Sequence, residues 1–555
     1  MGRVATNLFW ISKITGKLMT SHNLSLRSFP LRIDAVSRIA VAALGAVTIL
    51  CGAPASAQEM PPPPEVAGVP IPDGQIDRAL GQLDALAAAI MQKSGIPGMA
   101  VAVVRDGRTV YAKGFGIRKV GAPETVDADT VFQIASLSKP VTATVVAREV
   151  AAGRVAWDTP VVKHLPWFRL KEPWVSSHVT IGDLLSHRSG LPDHAGDLLE
   201  DIGFNRRQVL ERLRFLPLEP FRISYAYTNF GFTAGAEAVA VASGKDWATL
   251  SEDAVFKPLG MTSTSMRFAD FEKRTNRAFG HVKTGDGFQA KLQRKPDAQA
   301  PAGGVSSSVN DLARWLAMLT QGGMVDGRPF IDSKALLPAM SPQAFSSQPA
   351  TFTARPGFYG YGFNVGVTPA GRMSFSHSGA FALGAGTNFV ILPSAGVAIV
   401  VLTNAAPTGL AETLTAEFMD LVQFGKIERD WATPYAAAFA AISAPVGSLV
   451  GNARPATPKP AGNLADYAGS YANDYFGAAQ VFRRGDELVL RLGSNGLEYP
   501  LTHWDGNAFT FIPSGENAPD GSISLASFGE AAKGRFRSLT IEFLNADGLG
   551  RFRRK

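Results

Sequence analysis

The 555-residue sequence contains a single cysteine, Cys51. One thiol cannot form an internal disulfide, and beyond position 51 no cysteine is available as a nucleophile or metal ligand. Long apolar runs are also scarce. After residue 57 no stretch reaches about 18 uncharged apolar residues, the length that spans a bilayer. Three further patterns are absent: G-x-S-x-G of α/β-hydrolases, H-E-x-x-H of zinc metalloproteases and the phosphate-binding P-loop.

An excess of positive charge is found only at the start of the chain. The net charge is +7, from 54 Lys and Arg against 47 Asp and Glu. Residues 1–57 hold six of the basic residues and one acidic residue, so the rest of the chain is nearly neutral. A domain that binds nucleic acid needs a basic surface of its own. The composition therefore argues against nucleic acid as a partner.

The same 57 residues have the order of a secretory signal peptide. Arg38 precedes an apolar run over residues 39–50, and Ala55-Ser56-Ala57 supplies the small residues that a signal peptidase recognises. We expect cleavage before Gln58 and export to the periplasm or the extracellular space, with no stable membrane insertion afterwards. The long, Ser- and Arg-rich stretch before the run leaves two alternatives: translation from Met19, or an organelle transit peptide.

Composition divides the remaining chain into two domains. Residues 58–75 read as a proline-rich spacer, and residues 441–463, rich in Pro, Ala and Gly, as a linker. Between them, residues 76–440 start with a helical pattern and a hairpin, continue with further helices, and end with strand-like runs. This order predicts an α/β (α+β) domain whose sheet is built from both ends of the segment. Residues 464–555 contain short β-type runs separated by turns and predict an all-β, barrel-like module.

The first chemical motif is the tetrapeptide from Ser136 to Lys139, the one S-x-x-K in the chain. On a helix, positions i and i+3 share a face, so the lysine amine would lie beside the serine hydroxyl. A serine hydroxyl needs a base, and lysine can be that base only if its pKa falls. A helix N-terminus adds free N–H groups that suit an oxyanion. The alternative interpretation is a helix cap followed by a solvated lysine.

A second motif, Tyr-x-Asn, occurs at Tyr227-Thr228-Asn229 and again at Tyr471-Ala472-Asn473. A phenol can shuttle a proton, and an amide can hold a substrate carbonyl. We favour Tyr227 because the other copy falls in the β module. The alternative for Tyr227 is a half-buried aromatic side chain whose hydroxyl is already satisfied.

The third motif is also duplicated, as His377-Ser378-Gly379 and Lys283-Thr284-Gly285. Lys283 lies in a segment that reads as an exposed turn. His377 ends an alternating apolar run and precedes a glycine-rich segment and two strong strands. We favour His377, because an edge strand there could pair with the backbone of a substrate.

In this order, the motifs at Ser136, Tyr227 and His377 resemble those of the class C β-lactamase and penicillin-binding-protein-like serine hydrolases. The segment LLSHRSGL at 184–191 is similar to a further conserved stretch of that family. The resemblance covers about residues 76–410 and implies a β-lactamase/transpeptidase-like fold, an antiparallel sheet flanked by helices. The β module resembles the lipocalin-like C-terminal domain of some of these hydrolases.

The resemblance implies acyl transfer without a cofactor. The serine would attack the acyl carbon of an ester, an amide or a short D-amino-acid peptide, and water would later release the acyl group. Lysine and tyrosine would share the base and acid roles, and two backbone N–H groups, those of Ser136 and Ala380, would form the oxyanion hole. The residues implied are Ser136, Lys139 and Tyr227 for catalysis and Asn229, His377, Ser378, Gly379 and Ala380 for substrate binding.

One departure from the family pattern bears on the substrate. True class C β-lactamases usually carry lysine where this chain has His377, and imidazole binds a carboxylate less strongly. We therefore do not expect efficient β-lactamase action. The first alternative to the general serine hydrolase is a DD-carboxypeptidase, a D-aminopeptidase or a weak β-lactamase, and the second is a catalytically silent binding protein. His187, Asp193 and His194 could suggest a metal site, but the family's histidine at the first position is structural, so no metal is expected.

Overall fold

The computed structural model describes residues 68–285, 287–291, 293–532 and 534–555. The predicted signal peptide and residues 58–67 of the predicted spacer lie outside these ranges. Within the described ranges, no helix is both long and apolar enough to cross a membrane.

The helices and strands alternate along the first three quarters of the chain, and strands dominate the last quarter. The α-helices are α1 (Gln75–Ser94), α2 (Ser138–Ala151), α3 (Pro173–His178), α4 (Ile181–Leu185), α5 (Asp197–Asp201), α6 (Arg206–Arg212), α7 (Asn229–Ser243), α8 (Trp247–Ser251), α9 (Phe268–Lys273), α10 (Ala300–Gly303), α11 (Val309–Thr320), α12 (Ser333–Leu336), α13 (Leu410–Phe424), α14 (Ala432–Ala440) and α15 (Leu464–Tyr467).

The strands before residue 410 are β1 (Gly98–Arg105), β2 (Arg108–Gly116), β3 (Phe132–Gln133), β4 (Val282–Thr284), β5 (Gly287–Gln289), β6 (Ser306–Ser307), β7 (Met324–Val325), β8 (Arg328–Pro329), β9 (Ala344–Ser347), β10 (Gly357–Tyr359), β11 (Asn364–Val367), β12 (Met373–Phe381), β13 (Ala385–Leu392) and β14 (Val397–Thr403). The later strands are β15 (Gly469–Asn473), β16 (Gly477–Arg484), β17 (Glu487–Leu492), β18 (Leu497–Asp505), β19 (Ala508–Phe511), β20 (Ser524–Ala532), β21 (Arg535–Ile541) and β22 (Arg551–Arg554).

A sheet joins the two ends of the segment from α1 to α14, which we name the sheet domain. Among the described residues its strands follow the order β2-β1-β14-β13-β12-β11-β10-β9, and neighbouring strands are antiparallel. β1 pairs with β2 through a turn in which Asp106 and Gly107 have φ of 50° and 75°, the left-handed values that tight hairpin turns need. On its other side β1 pairs with β14, so the predicted construction of the sheet from both ends is confirmed.

The central strands are buried on both faces, because successive side chains of a strand point in opposite directions. Val101 and Ile399 pack with residues of α1 and α13 on one face. Ala100 and Val400 pack on the other face with α11, including Trp315. The sheet therefore lies between two helical layers, and the second layer contains the helices that carry the candidate site.

Strands β15 to β22 form a closed barrel, within the part of the chain that the structure describes, which we name the barrel. The ring closes where β15 pairs with β22, and in this pairing Tyr471 lies opposite Arg554. Its interior is filled by aromatic rings, among them Tyr467 stacked on Phe536 with ring centres 4.5 Å apart. The predicted fold class, an antiparallel sheet flanked by helices plus a C-terminal barrel, is confirmed.

Candidate active site

Ser136 lies in a 3-10 turn, Ala135–Leu137, that leads directly into α2. Ala135 has φ of 48°, a conformation that L-residues rarely adopt and that costs free energy. The turn is held by Ser138, whose Oγ donates to the Ala135 carbonyl at 2.6 Å and accepts from the Val305 N–H at 2.9 Å. The strained turn leaves the Ser136 side chain partly exposed while its neighbours in the chain are buried.

The Lys139 side chain is fully buried beneath Ser136. Its Nζ lies 3.1 Å from Ser136 Oγ, 2.7 Å from Asn229 Oδ1 and 3.1 Å from the Ala302 carbonyl oxygen. Burial lowers the pKa of Lys139 to about 7, and the negative charge of Asp197 partly opposes this shift. A large fraction of Lys139 is therefore neutral near pH 7.

The three contacts of Lys139 determine where a neutral amine directs its lone pair. The Asn229 and Ala302 oxygens can only accept, so the amine must donate a hydrogen to each of them. The position that remains for the lone pair faces Ser136 Oγ, which can donate its hydroxyl hydrogen. The geometry therefore suits proton transfer from serine to lysine.

The amide of Asn229 is oriented by Asp197, a residue that the sequence analysis did not identify. Asn229 Nδ2 donates to Asp197 Oδ2 at 2.9 Å, which leaves Oδ1 facing Lys139. The same carboxylate oxygen lies 2.8 Å from His194 Nδ1. Asp197 is the first residue of α5, and its side chain is only 7% exposed. His194, considered above as a possible metal ligand, thus contacts the carboxylate that orients Asn229.

If Lys139 must be neutral for activity, kcat/KM rises with pH as Lys139 loses its proton. We expect Asp197→Asn to move this rise to lower pH. The asparagine can still accept from Asn229, but the negative charge that raises the pKa of Lys139 is gone. Because the lost charge is nearby, we expect the midpoint of the rise in kcat/KM to move down by about half a pH unit to one pH unit. The matched control is Asp486→Asn at a fully exposed position on the barrel. A rise at unchanged or higher pH in Asp197→Asn would contradict this prediction.

Tyr227 lies in the segment just before α7, and its hydroxyl shares a hydrogen bond with the Ser136 side chain. Burial raises the pKa of Tyr227, and the charges of Asp197 and Asp193 raise it further. Lys139 Nζ is 4.4 Å from the centre of the Tyr227 ring. The phenol is therefore protonated over the ordinary pH range, so it is placed to donate rather than to remove a proton.

His377 is buried, and its imidazole points into an aromatic cluster. Nε2 lies 2.9 Å from the Tyr359 hydroxyl, and Nδ1 lies 2.6 Å from the Ser378 carbonyl oxygen. Burial lowers the pKa of His377 to about 3, and the nearby charge of Lys139 acts in the same direction. The imidazole is therefore neutral at pH 7, and a cation is absent at this motif position.

The expectation of an edge strand at His377 needs a correction. β12 is an interior strand, with β13 on one side and β11 on the other. However, the pairing with β11 stops at Ser376, and in the described residues His377 to Phe381 pair with β13 alone. Interior strands are buried by their neighbours, but β11 is too short to cover β12. The open half of β12 is the part that carries the third motif.

Gly379 lets this open half approach the nucleophile. A Cβ at this position would lie 2.4 Å from the Ile134 carbonyl oxygen and 3.1 Å from the Ser136 nitrogen, which is closer than atoms pack. The Ser378 side chain points to the opposite face, where Asn388 Nδ2 donates to its Oγ at 3.0 Å. Ala380 follows on the same strand and pairs with Gly386. The backbone of the open half of β12 therefore lies directly against the turn that carries Ser136.

The rival motif copies lie elsewhere. Lys283 is exposed on β4, in a two-stranded sheet with β5. Tyr471 is fully buried in the barrel, where its hydroxyl donates to the Tyr467 carbonyl at 2.8 Å. His187 is buried under Tyr227, and its Nδ1 accepts from the Thr228 N–H at 3.2 Å. The structure thus brings together Ser136, Lys139, Tyr227, Asn229 and the His377 strand.

A serine at the start of a helix, a buried lysine one turn later and an open strand opposite them define the site of β-lactamase- and transpeptidase-like proteins. The sequence profile of the Beta-lactamase family matches residues 83–424, more than half of the chain. The chain belongs to this family. A second profile, a domain of unknown function (DUF3471), matches residues 453–549.

Characterised relatives carry several different names. Unguisins hydrolase ungD' of Aspergillus campestris is 28% identical over 69% of this chain and 73% of its own length. Penicillin-binding protein 4 of Amycolatopsis lactamdurans is 29% identical over 57% of this chain and 83% of its own. Esterase EstB of Burkholderia gladioli is 26% identical over 61% and 94%.

The fold is shared with a solved structure over most of both chains. The octameric penicillin-binding protein homologue from Pyrococcus abyssi superposes with a TM-score of 0.55 at 21% identity, covering 85% of this chain and 99% of that one. At this identity the likeness concerns the fold alone.

Proposed function

We propose that this chain is a serine hydrolase that forms an acyl-enzyme on Ser136 and hydrolyses an ester, an amide or a short D-amino-acid peptide. The observation that carries the proposal is the contact between Lys139 Nζ and Ser136 Oγ at 3.1 Å. The lysine is fully buried, its pKa is lowered to about 7, and the Asn229 and Ala302 oxygens beside its amine only accept hydrogen bonds. This combination turns a lysine into a base directed at one hydroxyl.

In the proposed acylation, neutral Lys139 takes the hydroxyl proton of Ser136 while Oγ bonds to the acyl carbon. The carbonyl electron pair moves to its oxygen, and the N–H groups of Ser136 and Ala380 stabilise the charge. When the carbonyl re-forms, the bond to the leaving group breaks, and Tyr227 donates the proton that this group needs. The proton on Lys139 then returns to Tyr227. In deacylation, neutral Lys139 takes a proton from water while the water oxygen bonds to the acyl carbon. The bond to Ser136 Oγ then breaks, Tyr227 protonates this oxygen, and the proton on Lys139 returns to Tyr227.

The third motif favours substrates that do not depend on a carboxylate. His377 is neutral and turned toward Tyr359, so it offers no cation to the carboxylate of a β-lactam or of a D-Ala-D-Ala peptide. We propose an ester or a neutral amide first, in line with the relatives named as an esterase and a hydrolase. Hydrolysis of an aryl ester, a D-Ala-D-Ala peptide and nitrocefin by one preparation distinguishes this from a DD-carboxypeptidase, a D-aminopeptidase or a weak β-lactamase.

The proposal is tested by covalent labelling of the purified full chain with a fluorophosphonate probe. We expect one probe per molecule, lost on denaturation before labelling and located by mass spectrometry on the peptide that contains Ser136. A folded chain that takes no label, or takes it on another serine, would refute the proposal. The first of these outcomes would favour the silent binding protein.

Export to the periplasm or beyond is a further part of the proposal and has its own test. The basic, apolar and Ala55-Ser56-Ala57 order of the leader supports it. Sequencing the N-terminus of the secreted protein should give Gln58 as the first residue. Retention of residues 1–57 in the cytoplasm would contradict export.

A further inference from the structure

The barrel reaches the active-site strand through the loop between β19 and β20. In this loop, Glu516 Oε1 accepts from the N–H of Ala382 at 2.5 Å, and Oε2 accepts from the N–H of Leu383 at 3.4 Å. These two residues and Gly384 form the turn that joins β12 to β13. Ala380, whose N–H is proposed for the oxyanion hole, lies two residues before Ala382. A carboxyl of the barrel therefore holds the end of the strand that lines the site.

The loop is in turn attached to the helix that orients Asn229. Asp201 accepts from the N–H of Glu516 and from the N–H of Asn517, each at 3.0 Å, and from Asn517 Nδ2 at 2.8 Å. Asp201 is the last residue of α5, and Asp197 is its first. At the start of the same helix, the N–H of Gly196 donates to the Tyr475 hydroxyl of the barrel at 3.1 Å. The barrel thus contacts both ends of α5.

The loop lies against a buried cluster in which, among the described residues, three carboxyls interact with one guanidinium. Arg294 lies 2.5 Å from Glu200 and 3.8 Å from Asp201, and it also attracts Glu516. The Arg294 side chain is only 9% exposed, so the attraction is little screened by water. Burial raises the pKa of Glu516 to about 7 and that of Glu200 to about 6. Removing one carboxyl would therefore disturb a closely packed charged cluster.

The residues on either side of the turn held by Glu516 pack against the turn that carries Ser136. Phe381 and Ala385, which flank the turn on β12 and β13, pack with Ala135 in one buried cluster. Ala135 is the strained residue that precedes Ser136. Arg294 lies 5.5 Å from the centre of the Phe381 ring, on the barrel side. A shift of the turn would therefore be transmitted both to Ser136 and to the Ala380 N–H.

Resting on the function proposed above, we infer that Glu516 is a positioning residue of the active site. By accepting hydrogen bonds from the β12–β13 turn, Glu516 holds the Ala380 N–H and the Ser136 turn at the separation that acylation requires. In this view one loop of the barrel supports the active site, because the turn is anchored by a residue outside the sheet domain. A misplacement of about 1 Å in such a site can cost on the order of 100-fold in rate.

The test compares Glu516→Ala and Glu516→Gln with the matched control Glu498→Ala, an exposed barrel glutamate that pairs with Arg491 at 2.6 Å. We expect Glu516→Ala to slow fluorophosphonate labelling of Ser136 about 10-fold or more, through the acylation rate rather than through initial binding. Glu516→Gln keeps an oxygen that accepts from Ala382, so it should recover labelling to within about threefold, since the lost hydrogen bond is restored. Glu498→Ala should label like the wild type.

Each outcome has a defined meaning. Wild-type protein that does not label refutes the proposed function, and with it the positioning role that rests on that function. Wild type that labels while a folded Glu516→Ala labels at the same rate refutes the role of Glu516. If Glu516→Ala does not fold, Glu516→Gln and the shorter Glu516→Asp decide. The first must label within about threefold of the wild type and the second must be slower, and the reverse order would overturn the inference.

Discussion

Replacing Ser136 by alanine is expected to reduce hydrolysis of an aryl ester by on the order of 10⁴- to 10⁶-fold, as removal of a nucleophile does in other serine hydrolases. The hydroxyl is the group that lies 3.1 Å from Lys139 Nζ and shares a hydrogen bond with Tyr227, and alanine has no group that can take its place. Fluorophosphonate labelling should disappear to the same extent. Activity is measured as kcat/KM, with single-turnover kinetics to separate acylation from release.

The fold should survive this substitution, because Ser136 is partly exposed and the turn is held by other groups. Ser138 fixes the turn by hydrogen bonds to Ala135 and Val305. Ser136→Ala should therefore melt within a few degrees of the wild type, and Ser177→Ala, at an exposed serine of α3, should leave both activity and melting unchanged. A Ser136→Ala protein that keeps more than about one per cent of the activity would show that another residue is the nucleophile. Binding and an oxyanion hole without a nucleophile do not supply that much activity.

The part of the site that could be predicted from the sequence is the part that depends on local spacing. Ser136 and Lys139 lie three residues apart, where a helical turn brings side chains together. Tyr227 and Asn229 share one motif that lies far from Ser136 in the chain, and His377 lies farther still, so residue spacing alone does not connect them with the serine. They were favoured by the segments in which they occur and by the order of the three motifs, which resembles that of a known family. Their rival copies at Tyr471 and Lys283 have similar patterns, and the tertiary structure separates the two sets.

Asp197 and Glu516 could not be predicted in this way, for a physical reason. Each acts through one hydrogen-bonded contact with a segment distant in sequence: Asp197 with Asn229, and Glu516 with Ala382. Such contacts leave no periodic pattern and no spacing rule in the chain. Aspartate and glutamate are mostly surface residues, so composition alone predicts that both are solvated.

The strands of the barrel were also only partly predictable from the sequence. β16, β17, β19 and β21 each contain a short run with Val, Leu, Ile or Phe and could be expected from these β-type runs. β18 contains Pro500, which has no N–H for the ladder, and β20 is composed largely of small residues. These two strands form because their partners on each side and the closure of the ring hold them.

Lys139→Met is expected to lower kcat/KM by at least about 10³-fold, or ~4 kcal/mol of barrier, because the general base is lost. Methionine fills much of the same volume without a proton acceptor, so Ser136 keeps its place and loses its base. In the wild type, kcat/KM should rise with pH through about 7 and then level off, since Lys139 must be neutral to accept the proton. A flat profile between pH 5 and 9 would rule out Lys139 as the base.

The same substitution should make the protein more stable at low pH, and this distinguishes a tuned base from a merely structural lysine. The pKa of Lys139 falls from 10.5 to about 7 on folding, so below pH 7 the folded chain carries a buried charge at full cost. Between pH 7 and 10.5 the unfolded chain binds a proton that the folded chain does not, and the stability of the wild type rises with pH.

Lys139→Met has no such charge to bury. We therefore expect it to exceed the wild type by about 1–3 kcal/mol at pH 6, after allowance for the hydrogen bonds it loses, and to lose most of this advantage by pH 10. Denaturant unfolding at pH 6, 8 and 10 measures the difference, with Lys171→Met at an exposed position as the control. A difference that grows with pH would mean that folding favours the charged form of Lys139. In that case Lys139 could not be the base near pH 7, since the desolvation that prepares the base is the same desolvation that destabilises the fold.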